Sequence, residues 1–108
     1  MILTGKCKED FDKWYESLSK KCKGYGFYLY LNNSRDFYDL HKSMQYGVYV
    51  DFFDSVKFKV DIIRYSYPND YYFGYAVESF MYSEHPKITR QEARTKAIEK
   101  ANEIYNEQ

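Results

Sequence analysis

Val56-Lys57-Phe58-Lys59-Val60-Asp61-Ile62 alternates apolar and charged side chains without a break. Successive strand residues point to opposite sides of a sheet, so a period of two marks a strand with one buried and one wetted face. Pro68-Asn69-Asp70 follows as a turn signal, and Tyr71 to Tyr82 returns as a second strand with Phe73, Tyr75 and Val77 on one face. Together they predict an antiparallel β-hairpin. A register that sets Lys59 against Glu78 is electrostatically better than one that sets Asp61 there.

Downstream, Ser83-Glu84-His85-Pro86 ends the sheet, and Thr89-Arg90-Gln91-Glu92 has the form of a capping box. The threonine hydroxyl accepts from the backbone amide three residues on, while the glutamate reaches back to the cap amide. Ala93, Ala97, Ile98, Ala101, Ile104 and Tyr105 then form one helical stripe, whose alanines allow close approach to a sheet.

Upstream, Met44, Val48, Phe52 and Val56 step by four, with Tyr49 and Phe53 beside them. Gly47, Val48 and Val50 lower helix propensity, and 48–52 alone would pass for a strand, but the sustained period of four predicts a helix over 43–55. Leu3, Cys7, Phe11, Tyr15, Leu18 and Cys22 mark an earlier helix over about 5–22, with Thr4 as its N-cap and Gly24 as its stop. Phe27 to Leu31 suits a short strand, with a helical turn as the alternative, and Asn33 or Ser34 would cap a short helix through Leu40. The expected architecture is α+β in one domain, 1–108. Its order is an N-terminal helix, a short strand or turn, a central helix, an antiparallel β-hairpin and a C-terminal helix packed on a small sheet.

Aromatic residues make up 21% of the chain, including 14 tyrosines, which is the compositional anomaly. Tyrosine buries a large ring yet keeps a hydroxyl that wants a partner, so it suits core edges and contact surfaces alike. Sixteen basic side chains balance sixteen acidic ones, which argues against a general nucleic-acid binder held by charge. The balance conceals an asymmetry: 1–35 hold seven Lys and Arg against four acids, and 36–85 hold four against eight. Cys7 and Cys22 would lie about 22 Å apart on one helix at 1.5 Å of rise per residue, beyond disulfide reach, and read as reduced core thiols. The N-terminal stretch has neither the apolar region nor the cleavage site of a signal peptide, and no apolar run spans a membrane, so a cytoplasmic location is expected.

The chain offers little chemistry. His41 and His85 are the only histidines, and neither has neighbours in the spacing of a zinc site or a nucleophile. Gly24-Tyr25-Gly26 lacks the rest of a phosphate loop. No catalytic residue, metal or cofactor is expected. Asp51 and Asp54 share a helix face at the spacing of a carboxylate pair, although a solvated face explains them as well. The constellation of most interest is Lys57, Lys59, Tyr65, Tyr67 and Tyr72, placed by the simplest register on the hairpin face turned from Val56, Phe58 and Val60. Such a face can pack under the 27–31 segment, contact a protein, or grip phosphates and stack on unpaired bases.

Three segments resemble small uncharacterised bacteriophage and prophage proteins: 3–15, 44–56 and 89–107. The middle one, Met44-Gln45-Tyr46-Gly47-Val48-Tyr49-Val50-Asp51-Phe52-Phe53-Asp54-Ser55-Val56, is the most specific. This sequence departs from that pattern at Lys57, where a glycine turn is expected. The resemblance brings no catalytic motif; it implies a phage setting, in which small accessory proteins act by occupying a host protein or a CRISPR-like defence effector. The expected function is therefore stoichiometric inhibition of such a protein through the tyrosine-rich hairpin, with a homo-oligomer left open among the partners. The alternative is an RNA- or DNA-binding accessory module using the same face. Its element order is loosely similar to double-stranded RNA-binding domains, but Glu92, Glu99 and Glu103 dilute the basic last helix that those carry.

Overall fold

A computed structural model describes residues 1–21, 37–67, 70–82 and 88–108, with side chains excepted at 19–21, 66–67 and 70–71. The expected strand or turn at 27–31, the Asn33 or Ser34 cap of the short helix through Leu40, the helix stop at Gly24, the turn at Pro68-Asn69, the sheet end at 83–86 and Cys22 lie outside these residues. The elements are α1 (Gly5–Lys21), α2 (Lys42–Ser55), β1 (Val60–Tyr67), β2 (Asp70–Val77), β3 (Phe80–Tyr82) and α3 (Arg90–Glu107). The fold is α+β, with α3 packed on β1 and β2 and with α1 and α2 packed in turn on α3.

The sheet is a three-stranded antiparallel meander in the order β1-β2-β3, where the sequence predicts a two-stranded hairpin. The expected second strand divides at Glu78-Ser79. Val77 pairs with Phe80 across these two residues, and Glu78 has φ 57°. A positive φ at the first central residue suits a tight hairpin turn, where glycine is the usual occupant. The register is the expected one: Val60 faces Val77, and the Glu78 N–H donates to the Lys59 carbonyl at 2.8 Å.

The first strand begins at Val60 and not at Val56, because α2 ends in a Schellman motif. The Lys57 N–H donates to the Asp54 carbonyl at 3.0 Å, and the Phe58 N–H donates to the Phe53 carbonyl at 2.8 Å. Lys57 takes φ 59°, the left-handed position that ordinarily belongs to glycine. The rings of Phe53 and Phe58 meet at 5.4 Å, supplying the apolar contact that accompanies this cap. Val56 and Met44, expected on the buried stripe, are both 43% exposed. The stripe instead runs through Gln45, Val48, Tyr49, Phe52 and Phe53.

Much of the aromatic excess is core. Phe11 of α1, Phe37 and Tyr49 of α2 meet edge to face with centroids 5.0 to 5.2 Å apart, the arrangement that ring quadrupoles favour. Buried Gln45 ties the turn at 37–40 to α2 by donating to the carbonyls of Tyr38 and Leu40. Val60, Tyr75 and Val77 join the same cluster from the sheet, and Ala97, Ile98 and Ala101 from α3. Cys7 is fully buried in it, and burial with the nearby Asp10 pushes its thiol up to about 12.

The starts of α1 and α3 are specified by side chains. Glu92 and Thr89 form the full capping box, each bond at 3.1 Å. At α1, Thr4 does not serve the first turn with its own hydroxyl. Instead Asn106 of α3 accepts from the Cys7 N–H at 2.8 Å and donates to the Thr4 carbonyl at 2.9 Å, while Asn102 accepts from the Thr4 N–H at 2.9 Å. Gly5, with φ 60°, fits against Asn106, where a Cβ would approach the amide to 3.2 Å.

Candidate functional site

Strand alternation gives the sheet two unlike faces. One carries Val60, Ile62, Tyr75, Val77 and Tyr82, all in or against the core beneath α3. The other carries Asp61, Ile63, Tyr65, Tyr72, Ala76 and Met81, none of which joins that core. Among the described residues no helix covers this second face.

Tyr65 and Tyr72 are cross-strand partners on the open face, and their rings stack at 4.9 Å with an interplanar angle of 13°. Both are half-buried, Ile63 beside them likewise, and Met81 is 65% exposed. Tyr67 belongs to the end of β1, opposite Asp70, and its side chain lies outside the described residues. The structure thus brings together the tyrosine pair that the sequence singles out.

It does not bring the lysines to them. Lys57 occupies the left-handed turn after α2, off the sheet altogether, because the helix cap consumes the residues that alternation assigns to a strand. Lys59 immediately precedes β1, six residues from Tyr65, or about 20 Å along a strand. Its neighbour across the sheet is Glu78. Asp51 and Asp54 are both exposed on α2, but they do not act as a pair: Asp51 lines a cleft, while the Asp54 carbonyl receives the Schellman bond. His41 caps α2, its Nδ1 accepting from the Ser43 N–H at 3.3 Å.

That cleft is the feature sequence reading misses. It encloses about 510 Å³ between α2, the β1 edge and the start of α3. Arg64, Arg90 and Arg94 line it with Tyr46, Phe73, Asp51 and Asp61. The Arg90 guanidinium lies 5.0 Å from the Phe73 ring centroid, and that of Arg94 lies 5.6 Å from Tyr46. Burial, with Asp61 next in effect, pushes the Tyr46 phenol up to about 12. The available signal was two arginines one turn apart at a helix N-terminus, where positive charge opposes the macrodipole.

Among the described residues no cluster of His, Cys, Asp and Glu could hold a metal ion, and no helix is long and apolar enough to cross a membrane. Comparison of the chain with protein-family models, curated proteins and solved structures found no match.

Proposed function

We propose that this protein is a stoichiometric binder that blocks a host or defence-system protein, with the open face of the sheet as its contact surface. The observation that supports this reading is the stacked Tyr65–Tyr72 pair, set among Ile63, Ala76 and Met81 on a face that no helix covers among the described residues. Paired tyrosines offer large rigid contact area with little side-chain entropy to lose, and aromatic residues and methionine are enriched at protein interfaces. The resemblance of three segments to phage proteins directs the choice of partner toward host and defence effectors. Nucleic acid is the weaker alternative, because the lysines it needs lie away from the rings and Asp61 shares their face.

The test is capture of purified host and defence effectors on the immobilised protein, followed by the Tyr65→Ala/Tyr72→Ala double variant. One effector should be retained at one-to-one stoichiometry and inhibited, and the double variant should lose it while unfolding at a similar temperature. No retention across the panel, or retention that the double variant leaves intact, would sink the reading.

A further inference from the structure

We infer that the outer edge of β1 accepts an extended segment of a partner protein as an added strand, with an acidic side chain of that segment seated against Arg90 and Arg94. Four observations meet at this edge.

First, the strand order leaves β1 at the margin of the sheet, and among the described residues no strand pairs with its outer side. Native sheets commonly blunt an edge by shortening it, bulging it or placing proline in it. The other margin, β3, is three residues long. β1 runs for eight, contains no proline, and pairs with β2 through eight consecutive partners without a bulge.

Second, the register shows which backbone groups face outward. The Glu78 N–H donates to the Lys59 carbonyl, which makes Val60 and Val77 a non-hydrogen-bonded pair. Alternation then turns the N–H and C=O of Ile62, Arg64 and Ser66 away from β2. Val60 is buried, so the usable row starts at Ile62. From there to Ser66 is about 13 Å of edge, the length of a segment of about five residues.

Third, the cleft follows that edge. Val60, Asp61 and Ile62 all line it. Strand neighbours point to opposite faces, so a cleft over one face is lined by every second residue, whereas one lined by three in a row runs along the edge. Tyr46, Gly47 and Val50 of α2 form the facing wall. Gly47 keeps that wall low: a Cβ built on it meets nothing within 4 Å, so packing does not require glycine there.

Fourth, charge selects the occupant. Among the described residues neither Arg90 nor Arg94 forms an ion pair or donates a hydrogen bond; their contacts are the faces of Phe73 and Tyr46. A guanidinium stacked on a ring keeps its in-plane N–H donors, and that planar fork matches a carboxylate. The register sets the Asp61 side chain on the opposite face, so on the inner side Arg64, Arg90 and Arg94 stand against one carboxylate, Asp51. An extended segment engages the backbone row and the arginines together. Its alternate side chains point inward, an acidic one toward the arginines and an apolar one, two residues away, toward Ile62 and Val50.

Selection of displayed random heptapeptides on the immobilised full chain tests the site. Enriched peptides should share an Asp or Glu with an apolar residue two positions away. In calorimetric titration of the most enriched peptide, Arg90→Gln and Arg94→Gln should each weaken binding about tenfold, the loss expected for charge-assisted bonds. Methylating the peptide's backbone nitrogens one at a time should weaken binding only at alternate residues, because every second N–H of an added strand faces β1. Gly47→Phe fills the cleft from a position that tolerates a side chain, so it should abolish binding with the melting temperature held or raised. Three results would overturn the inference: no enrichment of acidic peptides, methylation losses without the alternation, or binding unchanged in Gly47→Phe. A concentration-dependent dimer in light scattering that Gly47→Phe disperses would assign the edge to a second copy and overturn it as well. Tyr65 and Tyr72 point to the other face, so the Tyr65→Ala/Tyr72→Ala variant should bind the peptide like the parent whatever the fate of the effector in the previous test.

Discussion

Replacing Lys57 by glycine should stabilise the protein, although it deletes a side chain and adds no contact. Lys57 holds φ 59° at the position following the α2 cap, fixed there by the bonds from its own N–H to Asp54 and from the Phe58 N–H to Phe53. A left-handed backbone costs a residue with a Cβ about 1–2 kcal/mol, and glycine escapes that cost. Against this, glycine gives the unfolded chain more freedom, which costs about 0.4–1 kcal/mol. The net gain is about 0.5–1 kcal/mol, or roughly 2–6 °C in melting temperature for a domain of this size. Urea denaturation followed by far-ultraviolet circular dichroism reads it as a raised midpoint with an unchanged slope. Lys57→Ala is the decisive control, because it removes the same charge and side chain while keeping the Cβ. The order should be glycine above lysine, with alanine close to lysine. If alanine matches glycine, the gain comes from losing the lysine side chain and the strain argument fails.

Asn106→Ala removes both bonds that this side chain makes to the start of α1, leaving the part-buried Cys7 N–H unsatisfied, and should cost about 1–2 kcal/mol in the same denaturation assay; a loss below a few tenths would show that water replaces the asparagine. The Thr89 backbone N–H holds the Glu92 carboxyl below its usual value, so its contribution is present above the unfolded-state value near 4 and is lost as pH falls through the lower folded value. Glu92→Gln should therefore lower stability at neutral pH and converge with the parent in acid melts; a constant gap down to pH 2 would refute the linkage. Burial is the first cause that raises both Tyr46 and Tyr105 to about 12, and Tyr105 also donates to Asp10 at 2.7 Å. Raised phenols stabilise the fold below their unfolded value near 10, and that contribution is lost as pH climbs through 12. Tyrosinate absorbance at 295 nm should accordingly rise in a second step together with loss of ellipticity, whereas ionisation of every tyrosine near pH 10 with the fold intact would contradict it.

Local signals carried most of the fold. The closing helix was legible because Thr89 and Glu92 fix its start within four residues, and the stripe through Ala93, Ala97, Ile98 and Ala101 repeats at helical spacing. The beginning of β1 was not, because Val56-Lys57-Phe58 satisfies a period of two while belonging to a helix end: the Schellman motif itself requires an apolar residue at Phe58 to meet Phe53. The break between β2 and β3 carries no local signal for a related reason. Glu78-Ser79 has none of the glycine, proline or asparagine that announces a turn, and its positive φ is borne by a glutamate. At the site, cross-strand pairing of Tyr65 with Tyr72 follows from the register, whereas the distance to Lys57 and Lys59 depends on where the strand starts. The cleft joins three elements far apart in sequence, so no local pattern showed it. Gly47 was visible only as a weakness in the α2 periodicity.

The asparagine clasp between α3 and α1 also bears on how the chain is made. Its bonds join residues 98, 99 and 102 positions apart, so this clasp on the opening turn of α1 cannot form until α3 has been synthesised. At elongation speeds of about 5–20 residues per second, that wait lasts roughly 5–20 s. During it, Leu3, Cys7, Phe11 and Tyr15 lack the α2 and α3 surfaces that later bury them. The nascent chain thus exposes the apolar stripe of α1 until α3 has emerged, which makes α1 a segment that a ribosome-associated chaperone would be expected to hold.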